Sequence, residues 1–120
     1  MYYKKVTGYI STREAEGRTI FTRYSVIVSE VEVFNGKEQV KLPSYGIEVL
    51  EEVFEGGKRV EVVEEKVANV SPYFEKVDKL AQLFKEMQVS PIHLPEILDD
   101  MWEDLIRDYD IQVKLHKVAI

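Results

Sequence analysis

Apolar residues change their spacing near residue 70. Before it they alternate with polar residues; after it they recur every three or four positions. A period of two belongs to a strand with one buried face, and a period near 3.6 to an amphipathic helix. Strands followed by helices is the order of an α+β domain.

The strand half divides at its turns. Residues 2–12 predict a first strand, and Glu16-Gly17 marks a turn, because glycine accepts the positive φ that tight turns need. A long strand follows over 19–34. Its apolar face begins on even positions (Ile20, Tyr24, Val26, Val28) and ends on odd ones (Val31, Val33). A switch of parity calls for a bulge or bend, expected near Ser29-Glu30. Asn35-Gly36 predicts a type I′ turn, with both central residues at positive φ, leading into a strand over 37–42. Pro43 lacks an N–H and is expected to end that strand. Residues 45–54 and 59–67 predict a last hairpin around Glu55-Gly56-Gly57, its outer face rich in glutamate.

Two helices are expected next. Ser71-Pro72 offers an N-cap and a first-turn proline. Phe74, Val77, Leu80, Ala81, Phe84 and Met87 then share one face, with Leu83 beside it. Ser90-Pro91 repeats the start signal, and Leu94-Pro95 offers a second entry. Leu94, Ile97, Leu98, Met101, Trp102, Leu105, Ile106 and Tyr109 make a wide apolar stripe. Ile111, Val113 and Leu115 alternate weakly and suggest a late strand. The expected fold is an antiparallel sheet of four to five strands with two C-terminal helices packed on one face, the other face being free for solvent or a partner. It reads as one domain over 1–120: strand-rich 1–70, helical 71–110, and a tail 111–120.

Composition narrows the function. The chain has 120 residues, 45% hydrophobic and 32% charged, which is ordinary for a folded domain. There is no cysteine, so disulfides, thiol nucleophiles and thiolate metal sites are excluded. The N-terminus has no signal-peptide core, and no aliphatic run exceeds Val26-Ile27-Val28. A cytoplasmic protein without a membrane anchor is expected. The net charge of −6 lies wholly in residues 61–120, since residues 1–60 balance. That acidic surplus disfavours nucleic-acid binding.

Candidate chemistry is sparse. His93, at a helix start with Asp99 and Asp100 following, suggests a metal or acid–base site. A histidine flanked by apolar residues and prolines more often packs a turn, and that reading is favoured. Asp99 with Glu103, and Asp100 with Asp104, are four apart and share helix faces. Such like-charge pairs suggest a docking face for a basic partner, against the simpler reading of a solvated face. Glu48, Glu51, Glu52, Glu61, Glu64 and Glu65 read as solvent-facing acids that protect a sheet edge rather than as glycosidic chemistry. Gly56-Gly57-Lys58 lacks the pattern of a phosphate loop and reads as a hairpin turn. Seven tyrosines, Tyr45 among them, suit strands and can also anchor a partner. No nucleotide, hydrolase or zinc-protease motif occurs. No cofactor, metal or catalytic residue is expected.

Tyr45-Gly46-Ile47-Glu48-Val49, a helix, and then the segment Val89-Ser90-Pro91-Ile92-His93-Leu94-Pro95-Glu96-Ile97-Leu98-Asp99-Asp100 carry a resemblance. The chain resembles, over 24–102, an uncharacterised family of small proteins from clostridia and related Gram-positive bacteria. The resemblance implies a bacterial cytoplasmic protein of this fold and supplies no activity.

The expected function is a non-enzymatic protein-binding or regulatory module. It would use an open sheet face or the acidic second helix, with a protein partner or by self-association as a homodimer. Its candidate binding residues are His93, Asp99, Asp100, Glu103, Asp104 and Tyr45. The alternative is a small metal-dependent or acid–base enzyme centred on His93 with Asp99 or Asp100. An acidic mimic of nucleic acid fits less well, because residues 1–60 are neutral.

Overall fold

The computed structural model describes residues 4–119, and side-chain surroundings through 115. Four antiparallel strands come first: β1 (Lys4–Ala15), β2 (Arg18–Phe34), β3 (Gln39–Glu55) and β4 (Lys58–Ser71). They form one sheet in the order β1-β2-β3-β4, so each strand pairs with its neighbour in sequence. Three helices follow: α1 (Phe74–Glu86), α2 (Leu94–Asp100) and α3 (Trp102–Ala119). The α+β class and the antiparallel sheet are as the sequence predicts. The first two positions of the expected first strand lie outside the described residues.

Two hairpins turn tightly. Glu16 and Gly17 have φ of 53° and 77°, and Gly56 and Gly57 have 58° and 81°, as a type I′ turn requires. Asn35-Gly36 does not form that turn. The loop is four residues long, between the pair Phe34 and Gln39, and only Gly36 has positive φ. The Asn35 side chain accepts from the N–H groups of Lys37 and Glu38 at 2.9 and 3.0 Å. Asparagine's own side chain thus replaces the predicted backbone turn.

Pro43 does not end a strand. It pairs with Glu30 inside an unbroken β3. Residues 39–44 have no β4 partner, so β3 has an open side there, the setting in which a strand tolerates proline. The bulge expected near Ser29-Glu30 is also absent, for β2 and β3 stay in register from Thr19 to Phe34. The parity switch has another cause. Ile20, Thr22 and Tyr24 are buried on the face beneath α1, whereas Val31 and Val33 pair with the buried Val40 and Leu42 on the opposite face. Between them residues 24–27 are buried on both faces.

The core lies between the sheet and the helices. Tyr24, Val26, Ile47 and Val49 meet Val77, Leu80, Ala81 and Phe84 of α1, with Leu94, Leu98 and Leu105 beyond. The Tyr24 hydroxyl donates to the Val89 carbonyl at 2.7 Å, tying the sheet to the connection after α1. Burial pushes its pKa up to about 12. α1 stops at Met87. Gln88 takes φ of 53°, and Val89 N–H bonds back to the Phe84 carbonyl, so a glutamine fills a left-handed cap usually given to glycine. Met87, expected on the buried stripe, is therefore exposed, as is Leu83.

The first helix does not start as predicted, whereas the second does: Ser90-Pro91 opens a short turn, and α2 enters at Leu94-Pro95. Ser71 ends β4, and Tyr73 precedes α1 without a side-chain cap. Ser71 Oγ accepts from Tyr73 N–H at 3.2 Å and so holds the turn instead. Pro91–His93 form a short 3-10 turn before α2. The expected second helix is broken at Met101 into α2 and α3, which leaves Trp102 and Ile106 exposed. The tail is helical through Ala119, not a strand, and Ile120 lies outside the described residues. No glycine or proline follows Pro95, so nothing stops that helix.

Two positions carry clear expected effects. A side chain at Gly46 would overlap the carbonyl oxygens of Val67 and Ala68, where β4 bulges across it. Gly46→Ala is expected to lower stability by about 2 kcal/mol or more in urea unfolding. Tyr24→Phe leaves the Val89 carbonyl unpaired and should cost about 1 kcal/mol at neutral pH. The folded-state pKa of Tyr24 lies above the ordinary value of 10.0, so the folded chain keeps a proton that the unfolded chain loses. Stability should fall as pH rises from 10 toward 12, and less steeply in Tyr24→Phe. Urea titrations across that range check both points.

Candidate functional site

Each sequence-chosen residue has a definite place. Tyr45 is half-buried, its ring edge-on to Phe74 at 5.5 Å, so it is part of the core beneath α1. His93 is exposed at the end of the 3-10 turn, with Nδ1 3.7 Å from the Glu96 carboxylate. Asp99, Asp100, Glu103 and Asp104 are all exposed. The break at Met101 assigns Asp99 and Asp100 to the end of α2, and Glu103 and Asp104 to the first turn of α3. First-turn acids are favoured by the helix dipole, so the like-charge pairs read across one helix belong to two. Asp104 also faces Arg107 at 3.6 Å. Of the six, the structure brings together only His93 and Asp100. They line a shallow hollow of about 550 Å³ with Gln88, Ser90, Glu96 and Ile97. Ser90 Oγ there is buried without a hydrogen-bond partner. Among the described residues no three histidines or carboxylates converge as metal ligands. His116 lies in α3, and its side chain is outside the described set.

Asp108 is not part of a solvated acidic face. Its carboxylate accepts from Lys76 at 2.7 Å and from Ser71 at 2.9 Å. Beside it, Ser44 donates to Asn69 at 2.6 Å and stands 2.8 Å from the Tyr109 hydroxyl. A serine has one proton, so Tyr109 donates in that contact. Burial raises the Tyr109 pKa. A second cluster joins β1 to α1: Tyr9 donates to Asp78 at 2.6 Å, which raises the Tyr9 pKa, and Thr7 and Gln82 complete it. Both clusters fasten helices to the sheet.

The sheet face away from α1 carries the features that sequence reading left unassigned. Cross-strand partners share a face. They place Ile10, Phe21, Phe54 and Val62 there with Arg23, Glu52 and Glu64. Ile10, Phe21 and Val62 are exposed by 53%, 38% and 45%, high for an apolar cluster. Phe21 and Phe54 meet edge to face at 5.5 Å. They border a hollow of about 250 Å³ with Ile10, Arg23 and Glu52. A neighbouring hollow of about 300 Å³ opens over Gly8, whose missing side chain leaves the floor low. Glu48, read from sequence as solvent-facing, is buried on this side between Lys5 at 2.9 Å and Lys66 at 3.9 Å. Phe21 and Arg23 on alternate positions were the available signal. Alternation alone does not say which face the helices cover.

The two histidine and aspartate settings predict opposite outcomes. His93→Ala removes an exposed side chain and should change unfolding free energy by less than about 0.5 kcal/mol. Asp108→Ala leaves the Lys76 ammonium and the Ser71 hydroxyl without their partner and should cost about 1–3 kcal/mol. Urea unfolding of both variants measures the contrast.

No helix among the described residues is long and apolar enough to cross a membrane. No curated protein and no solved structure matches the chain. The model of a family of unknown function, DUF6514, matches residues 3–104, which include the Tyr45-Gly46-Ile47 and Pro91-Ile92-His93-Leu94 segments. With most of its length matched, the chain belongs to the DUF6514 family.

Proposed function

We propose that the chain is a single-domain, non-enzymatic module that binds protein through the open face of its sheet. The observation that carries this reading is the exposed apolar cluster of Ile10, Phe21 and Val62 around Phe54, on the face that α1 leaves uncovered. Contiguous exposed apolar surface rimmed by charge is the mark of an interaction site. Arg23 and Glu52 supply that rim. The side chains stand on paired strands, so binding would order little that is not already ordered. The same proposal places the protein in the cytoplasm of a Gram-positive bacterium, as the family resemblance implies.

A second reading takes the hollow at His93, Asp100 and Ser90 as a small acid–base or metal-dependent site. Its one favouring observation is the unpartnered Ser90 hydroxyl. The exposure of His93 and the lack of converging ligands among the described residues favour the sheet face.

Photo-crosslinking in cells tests the first reading. A photoreactive phenylalanine analogue at position 21 is expected to give protein adducts, and the same analogue at the exposed position 83 on α1 is expected to give none. Equal yields from both positions, or no adduct from position 21, would overturn it.

A further inference from the structure

We propose that the open face binds a second copy of this chain, about a two-fold axis running along β3. This rests on the reading of that face as a protein-binding surface and names the occupant. The register fixes three neighbouring rows across the sheet. The central row holds Ile10, Arg23, Leu50 and Glu64 on β1 to β4. The next row toward the β1–β2 turn holds Phe21 on β2, Glu52 on β3 and Val62 on β4. The row on the other side carries Glu48 on β3.

Charge on this face is sorted by strand. The β3 carboxylates are neutralised within the chain. Glu48 has Lys5 at 2.9 Å, and Glu52 has Arg59 at 3.1 Å. Arg23 on β2 and Glu64 on β4 are exposed, and neither has an ion-pair partner among the described residues. They stand one strand to either side of Leu50.

A two-fold contact joins the same patch on both copies, so the patch must complement itself. An axis along β3 lays β2 of one copy over β4 of the other. Each Arg23 then faces the other copy's Glu64, and each Phe21 faces the other copy's Val62. Leu50 meets its own counterpart on the axis. Glu48 and Glu52 also fall on the axis, and these are the carboxylates already neutralised. An axis between β2 and β3 would instead set Arg23 against Leu50 and Glu64 against Ile10, placing both free charges on apolar side chains. Packed sheets cross at about 30°, so partners stay matched only near the crossing point, which here is the central row and its Phe21 neighbour. β1 has no counterpart across this axis, so three strands at about 4.8 Å and about seven residues at about 3.3 Å give a footprint on the order of 300 Å² a side. That is small for a specific interface, so the expected dimer is reversible, with Kd on the order of 10–100 µM.

Sedimentation velocity over a concentration series spanning that range tests the proposal. The native chain is expected to pass from monomer to dimer. Arg23→Glu and Glu64→Arg should each weaken the dimer by about tenfold or more. Both positions are exposed, and circular dichroism checks that each variant folds. An equimolar mixture of the two variants should recover the dimer, because both contacts of the mixed pair again oppose a cation to a carboxylate. A native chain that stays monomeric throughout overturns the proposal. So does a dimer indifferent to both substitutions, or a mixture that stays monomeric. If the native chain is monomeric while position 21 still crosslinks to a different protein, the second copy is wrong and the binding face stands. If no adduct forms, both fall.

Discussion

Strand length exceeds helix length in this chain, and that mismatch governs where everything else sits. β2 and β3 have 17 residues each and α1 has 13. At about 3.3 Å per strand residue and about 1.5 Å per helical residue, the ribbon is close to three times as long as the helix. One helix cannot cover it, so the sheet is covered in two parts. α1 and the residues after it cover one face of the first half of β2. The far half of the β2–β3 ribbon buries Val40 and Leu42 on the other face, where Ser44 meets Tyr109 of α3. Both faces are buried only where the two coverings overlap. Two quarters are left open: one with Phe21 and Phe54, and the far end of the α1 side with Glu30, Glu32 and Phe34.

Changing faces needs a joint, and the joint is polar. β4 bulges over Gly46, runs on to Ser71 and stops opposite Tyr45. There the chain turns into α1, and α3 later returns to the same place. Ser44, Ser71 and Asp108 are buried at this joint, and each has hydrogen-bond partners. Apolar packing alone is non-directional and would allow α3 to slide along the sheet. A buried carboxylate shared by Lys76 and Ser71 does not allow it, because displacement would leave the charge unpaired. The network therefore fixes position as much as it adds stability.

How much of this was legible in the sequence follows from which signals are local. The strand periods of 4–71, the Glu16-Gly17 and Gly56-Gly57 turns, and the α1 stripe from Val77 to Phe84 are local, and the structure keeps them. The two errors about β2 and β3 share one origin. Parity along 19–34 is not a property of the strand alone; it reports which face is covered at each point. Pro43 would end a strand paired on both sides, and strand order decides whether both sides are paired. Asn35-Gly36 signals a backbone turn, but the Asn35 side chain makes the turn itself. The residues singled out by the sequence lie apart in the fold for a similar reason. His93 and the aspartates attracted notice by residue type, and Tyr45 by frequency. Phe21, Arg23 and Glu64 are ordinary strand residues. They become a surface only when the register sets them side by side and the helices choose the other face.

The open face is constrained by its own chemistry. A bare apolar sheet surface would invite indiscriminate association. Here the apolar side chains are interleaved with charge, and most of that charge is spent inside the chain. Glu48 lies between Lys5 and Lys66, and Glu52 against Arg59. A partner that buried these pairs would have to keep them intact, since separating either leaves a desolvated charge. Arg23 and Glu64 remain available, on strands two apart and of opposite sign. Matching both at once demands a partner with a carboxylate and a cation at the same spacing, reversed in order. Few surfaces meet that condition by chance, and this face turned upon itself does.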